Sequence, residues 1–138
     1  MKTQILIIDD DPTVLHILEM IFLFEGFHVV GAKNGKEALA AIEKEIPHVI
    51  LSDVIMPDMD GYEFLRRIRT QPDLSAIPVI IFSTNNSREN IRLARSLGAN
   101  DFIAKPFRAN EILSAVQMQV LRCSETPKTN AELHSSNG

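Results

Sequence analysis

Acidic residues fall in this chain at points where apolar runs stop. Asp9-Asp10-Asp11 follows the run Gln4–Ile8, and Asp53 closes the run that begins at Val49. Capping a helix needs one side-chain oxygen, and Asp11, immediately before Pro12, is placed for it. Asp9 and Asp10 are then in excess at the end of a buried strand. Like charges a few ångströms apart repel by roughly 4 kcal/mol per pair at an effective dielectric near 20, so a cation should offset them. Hard oxygen donors without His or Cys beside them suit Mg²⁺ or Mn²⁺. Asp53 interrupts Val49-Ile50-Leu51-Ser52-Asp53-Val54-Ile55-Met56, and buried strands rarely carry an unpaired acid. A metal-bound carboxylate can attack phosphorus and form an aspartyl phosphate. Ser83-Thr84 and Lys105-Pro106 close two further runs, adding a hydroxyl and an ammonium at the same edge, and the metal and Lys105 would stabilise the oxygens of a transferring phosphoryl group. Taken singly, each has a plainer reading: a satisfied structural acid for Asp53, a strand end for Ser83, a solvated charge for Lys105.

Bringing these groups together requires elements that end at one edge. The apolar runs Gln4–Ile8, His28–Ala32, Val49–Ser52, Val79–Ser83 and Phe102–Ala104 are each followed by helical periodicity, which predicts five βα units. The runs barely alternate, as strands covered on both faces should, and the fold class is a doubly wound α/β parallel sheet. Such sheets gather function at the carboxyl ends of their strands. The helices are predicted to open at Asp11-Pro12, near Gly35, at Asp60, at Ser87 with Asn90, and near Arg108. The first should end near Gly26, the second before Pro47, the third at Gln71-Pro72, the fourth at Gly98 and the fifth near Leu121. Beyond Leu121 apolar residues almost vanish, so 1–121 reads as the domain and 122–138 as a disordered tail or the start of a linker to an output domain.

The 138 residues, 45% hydrophobic and 23% charged, fit a single globular domain. A formal net charge of -4 offers no general attraction to nucleic acid or anionic membrane. One cysteine, Cys123, rules out an internal disulfide, and neither a signal peptide nor a membrane-spanning run is apparent. A cytoplasmic location is expected. The four histidines lack metal-ligand spacing, Asp58-Met59-Asp60-Gly61 fails as a calcium loop because Met56 would be its first ligand, and no nucleotide-binding glycine fingerprint occurs.

Four stretches together resemble the receiver domains of two-component response regulators: Ile5 to Pro12, Ser52 to Gly61, Ile77 to Ser83, and Asp101 to Phe107. The resemblance spans Thr3 to about Leu121 and implies a flavodoxin-like (βα)5 sheet of strand order 2-1-3-4-5. It implies that Asp53 is the phosphoacceptor, that Asp10, Asp53 and the backbone carbonyl of Ile55 bind the metal directly, and that Asp9 acts largely through water. Ser83 and Lys105 would contact phosphoryl oxygens, and the Lys105-Pro106 bond would be cis. Ser83 and Phe102 would form a switch that remodels the fourth helix, fifth strand and fifth helix, a surface that also serves a homodimer. Phe102 stands where relatives often have tyrosine. Thr84, Asn85 and Ile55 flank the approach of the hydrolytic water, and the bulk of Thr84 implies slow dephosphorylation.

By the same resemblance the phosphoryl donor is a histidine kinase or phosphotransfer protein. It would dock on the first helix, where Leu15, Met20, Phe22, Leu23 and Phe24 spread beyond one face; ordinary core packing is the other reading. Arg88, Arg92 and Arg95 form a basic stripe on the fourth helix, either a dimer contact or a solvated face. The output is an unknown protein target or an absent output domain. The expected protein is a signalling module, not an enzyme beyond its own phosphorylation and dephosphorylation. The rivals are a Mg²⁺-dependent phosphohydrolase and a pseudo-receiver that only binds protein. Against the first, Ile55 occupies the position where such hydrolases often carry a second aspartate; against the second stands the intact set Asp10, Asp53, Ser83 and Lys105.

Overall fold

The computed structural model describes residues 2–135, with side chains as far as residue 122. Five strands and five helices alternate: β1 (Gln4–Ile8), α1 (Pro12–Phe24), β2 (His28–Ala32), α2 (Gly35–Lys44), β3 (Val49–Asp53), α3 (Gly61–Thr70), β4 (Val79–Ser83), α4 (Arg88–Ser96), β5 (Asp101–Ala104) and α5 (Ala109–Ser135). The strands form one parallel sheet in the order β2-β1-β3-β4-β5, the flavodoxin-like topology expected. Strand order reverses between β1 and β3, so a crevice opens beyond their carboxyl ends.

Side chains of β1, β3 and β4 are buried throughout because helices cover both faces of the sheet. On one face, Leu18 and Phe22 of α1 and Ile112 and Val116 of α5 pack on Ile5, Ile7, Leu51, Ile80 and Phe82. On the other, Ala38 and Ile42 of α2 and Phe64, Leu65 and Ile68 of α3 pack on Leu6, Ile8, Ile50 and Ile81. Each large aliphatic or aromatic side chain so buried contributes about 1.5–3 kcal/mol. The helices are held unequally: α3 buries Gly61, Phe64, Leu65 and Ile68, whereas α4 buries Ala94 alone.

Helix boundaries follow side-chain chemistry. Asp11, Asn34, Asp60 and Ser87 cap the first four helices, each accepting a backbone N–H of the first turn. Gly26 and Gly98 take positive φ, of 90° and 108°, just past α1 and α4, a conformation natural to glycine. Three expected boundaries move. Strand β3 runs one residue further, through Asp53, and β5 begins one earlier, at Asp101, since both acids still pair along the sheet. Helix α5 does not stop near Leu121 but continues to Ser135. The stretch read as a disordered tail or linker start, 122–138, is thus helical over 122–135, a length over which sequence shows no apolar stripe; 136–138 lie outside the described residues.

On α1, Phe22 is fully buried and Leu15 half-buried, while Met20, Leu23 and Phe24 are exposed, joined by Ile17. The wide apolar face therefore divides into a core side and a surface side. Of the α4 arginines, Arg95 lies 3.8 Å from Asp101 and all three are exposed, as on a solvated face.

Candidate functional site

Register places the site. Ile8 pairs with Ser52, so Asp9 and Asp53 emerge side by side one residue further on, at the strand-order reversal. Both carboxylates are buried, Asp9 completely and Asp53 to 7% exposure, while Asp10 is exposed. One carboxylate oxygen from each of Asp9, Asp10 and Asp53 lies within 4.8 Å of the others. Asp9 also takes part in the turn into α1, its Oδ1 accepting the Asp11 N–H at 2.8 Å.

Lys105 arrives from the end of β5, and its bond to Pro106 is cis, as expected. Its Nζ stands 2.9 Å from Asp9 Oδ2 and 3.3 Å from Asp53 Oδ2, and 4.5 Å above the ring of Phe82. A single ammonium thus serves two buried carboxylates. Burial is the main influence on Asp53 and raises its pKa above the ordinary 3.8; neighbouring Asp9 pushes the same way, while Lys105 and the Val54 N–H oppose it. The Val54 N–H donates to Asp53 Oδ1 at 2.7 Å, so Oδ2 is the oxygen that faces Lys105. Three acids against one ammonium, all oxygen donors in mixed exposure, form a donor set suited to a hard divalent ion with room for water ligands.

Ser83 closes β4, next to Asp53 in the sheet because Phe82 pairs with Asp53. Its side chain is buried and its Oγ accepts the Asn85 N–H at 3.0 Å. Phe102 is half-buried and packs on the α2, α3 and α4 side of the sheet, where it pairs in register with Ile81. Ser83, two residues after Ile81, shares that face. Thr84, Asn85 and Ile55 are all exposed at the rim, Ile55 by 63%.

Two supports of this site had no clear sequence signal of their role. The first is Gly61, whose N–H donates to the Val54 carbonyl at 2.6 Å. A Cβ there would press on the Asp53 carbonyl and stand 2.8 Å from the Val54 Cα, so the start of α3 lies directly on the strand end that carries Asp53. The Asp-Gly pair marked a turn, not this contact. The second is Tyr62, whose hydroxyl reaches Asn90 of α4, 28 residues away in sequence.

Comparison with known proteins agrees with this geometry. Residues 5–117 match the family model described as response regulator receiver domain. An uncharacterized 14.6 kDa protein of the sodA1 3′ region of Leptolyngbya boryana is 38% identical, over 87% of this chain and 92% of its own. A response regulator receiver domain protein of Methanospirillum hungatei superposes with a TM-score of 0.84 at 30% identity, covering 91% of this chain and 98% of that one. The receiver domain of the sensor histidine kinase PA1611 of Pseudomonas aeruginosa, solved with magnesium coordinated in its active-site cleft, superposes with a TM-score of 0.80 at 28% identity, covering 87% and 98%. The chain spans about half the length of the transcriptional and DNA-binding regulators that it also matches.

Proposed function

Because the chain belongs to the response regulator receiver family, we propose that it works in two-component signalling by accepting a phosphoryl group on Asp53 from a phosphohistidine of a kinase or phosphotransfer protein. The observation that carries this reading is the sharing of Lys105 between two buried carboxylates beside an exposed third, at the strand-order reversal.

The proposed transfer is an in-line displacement. Asp53 Oδ2, free of the backbone hydrogen bond that holds Oδ1, attacks phosphorus; an O–P bond forms as the N–P bond breaks, and the imidazole leaves with the electron pair. Lys105 stays anchored by Asp9 and meets the oxygens that develop charge. Asp9, Asp10, Asp53 and the Ile55 carbonyl would hold Mg²⁺, which when bound neutralises the charge shared by the carboxylates and the phosphoryl oxygens. The Ser83 hydroxyl accepts from Asn85 and keeps its own hydrogen for a phosphoryl oxygen. Its shift toward that oxygen makes room for Phe102, which lies on the same face, and the surface of α4, β5 and α5 changes in consequence. Thr84, Asn85 and Ile55 govern how water reaches the phosphoryl group. The chain turns over no separate substrate. Among the described residues no helix is long and apolar enough to cross a membrane; the proposed site of action is the cytoplasm, as for a partner of a kinase or phosphotransfer protein.

Intact mass after incubation with a small-molecule phosphodonor and Mg²⁺ tests this reading. One phosphoryl group should be gained, and the gain should disappear in Asp53→Asn and with a chelator. No gain, together with no binding of the aspartyl-phosphate mimic beryllofluoride, would leave a protein-binding module without phosphotransfer.

A further inference from the structure

From Ser83 a continuous line of hydrogen bonds leaves the site and ends on a different helix. The Asn85 N–H donates to Ser83 Oγ at 3.0 Å. The Asn85 side-chain carbonyl accepts from Asn90 Nδ2 at 2.8 Å, and that same amide nitrogen donates to the Ser87 hydroxyl at 2.8 Å. On its other side the Asn90 carboxamide oxygen accepts from the Tyr62 hydroxyl at 3.3 Å. Both hydrogens and the oxygen of the Asn90 amide are therefore committed, so the group cannot turn for one partner without leaving another.

The bonds cross three elements with unequal anchorage. Tyr62 stands in the first turn of α3, which is held by Gly61, Phe64, Leu65 and Ile68. Asn90 lies in the first turn of α4, which buries only Ala94. The Ser83–Ser87 connection carries the site hydroxyl at one end and the α4 cap at the other, Ser87 Oγ accepting the Asn90 N–H at 3.2 Å. A displacement of Ser83 is thus applied to the weakly held helix and read against the firmly held one.

We propose that Ser83, Asn85, Asn90 and Tyr62 form a relay that reports the phosphorylation state of Asp53 at the junction of α3 and α4, with Asn90 the positioning residue at its centre. The relay rests on the phosphoacceptor reading above. It is a second outlet for the Ser83 shift: Phe102 passes the shift to β5 through packing, whereas Asn85 and Asn90 pass it to Tyr62 through directed hydrogen bonds. When Ser83 turns to the phosphoryl group, Asn85 follows its bond to Oγ, the Asn85 to Asn90 contact is lost, and Asn90 re-forms its contacts with Ser87 and Tyr62.

The chain carries its own reporter, having one tyrosine and no tryptophan, so its ultraviolet emission is that of Tyr62. The 138-residue chain is titrated with beryllofluoride and Mg²⁺, with binding followed by fluorine NMR and Tyr62 emission read in parallel. In the unaltered protein emission should shift in proportion to bound mimic. In Asn85→Ala, compared with the unaltered protein at equal occupancy of the mimic by fluorine NMR, the shift should be lost although the Tyr62 to Asn90 contact stays in place; Asn90→Ala should lose it too. A full shift in Asn85→Ala with the mimic bound, or no shift in the unaltered protein with the mimic bound, would overturn the relay alone. Failure of the mimic to bind the unaltered protein would instead overturn the phosphoacceptor reading, and the relay with it.

Discussion

The Asp53 carboxylate is buried beside another buried acid, and its raised pKa means that the folded chain holds that proton more readily than the unfolded chain. In metal-free buffer this group's effect is to lower folding stability as pH rises from the ordinary 3.8 through the raised folded value, an effect absent below 3.8. Asp53→Asn should remove that dependence and be more stable than the parent at neutral pH by roughly 1–3 kcal/mol, with Lys105 still paired to Asp9. Urea unfolding across that pH range checks it, and equal stability of the two proteins at neutral pH would count against it. Mg²⁺ should act in the opposite sense on the parent, adding about 1.4 kcal/mol at ten times its dissociation constant, and much less in Asp10→Asn or Asp53→Asn. Asp53 stood out in sequence because an acid inside an apolar run contradicts its surroundings. The pairing of Lys105 with Asp9 spans 96 residues and has no local trace, so it required the fold.

At the scale of elements, anchorage of the helices matters more than their existence. Arg69 of α3 holds the turn after α4: Nε and Nη2 donate to the Gly98 carbonyl at 3.0 and 2.7 Å, and Nη2 also reaches Asn100 Oδ1 at 2.8 Å. Nη1 donates to the Ile77 carbonyl at 2.8 Å, just before β4. Burial lowers its pKa, yet these acceptors are carbonyl oxygens, not carboxylates. Arg69→Ala should cost about 2–4 kcal/mol, because several part-buried carbonyls lose charged donors, while phosphorylation of the folded fraction persists. Gly61→Ala should behave differently, shifting the Asp53 strand end and lowering Mg²⁺ affinity together with stability, because the added Cβ meets backbone atoms; calorimetric titration beside thermal melting reads both effects. Strand limits at Gln4–Ile8, His28–Ala32 and Val79–Ser83 were readable in advance, since β-branched runs and their turn residues are local signals. Caps at Asp11, Asp60 and Ser87 were readable for the same reason. The clamp of Arg69 was not, because nothing in the sequence separates it from Arg66 and Arg67, its exposed neighbours on the same helix. Nor was the extension of α5 to Ser135, whose residues past Leu121 carry no apolar period.

At the scale of the whole molecule, the helices leave unlike surfaces on the two faces of the sheet. Ile17, Met20, Leu23 and Phe24 leave an apolar strip on α1, with Phe24 91% exposed, on the face of the sheet away from α3 and α4. Phe24→Glu should leave stability within about 0.5 kcal/mol and phosphorylation by a small-molecule donor unchanged, but slow transfer from a phosphohistidine protein. No slowing with the phosphohistidine protein would place the docking surface elsewhere. The opposite face carries α4, which buries Ala94 alone. A helix attached by so little apolar area opens well before the domain unfolds, so its amides should exchange with solvent through small local excursions while β1 and β3 exchange only on global unfolding. Evolutionary change can therefore accumulate on the exposed face of α4 at little thermodynamic penalty to the rest of the chain, leaving the strand ends that carry Asp9 and Asp53 untouched.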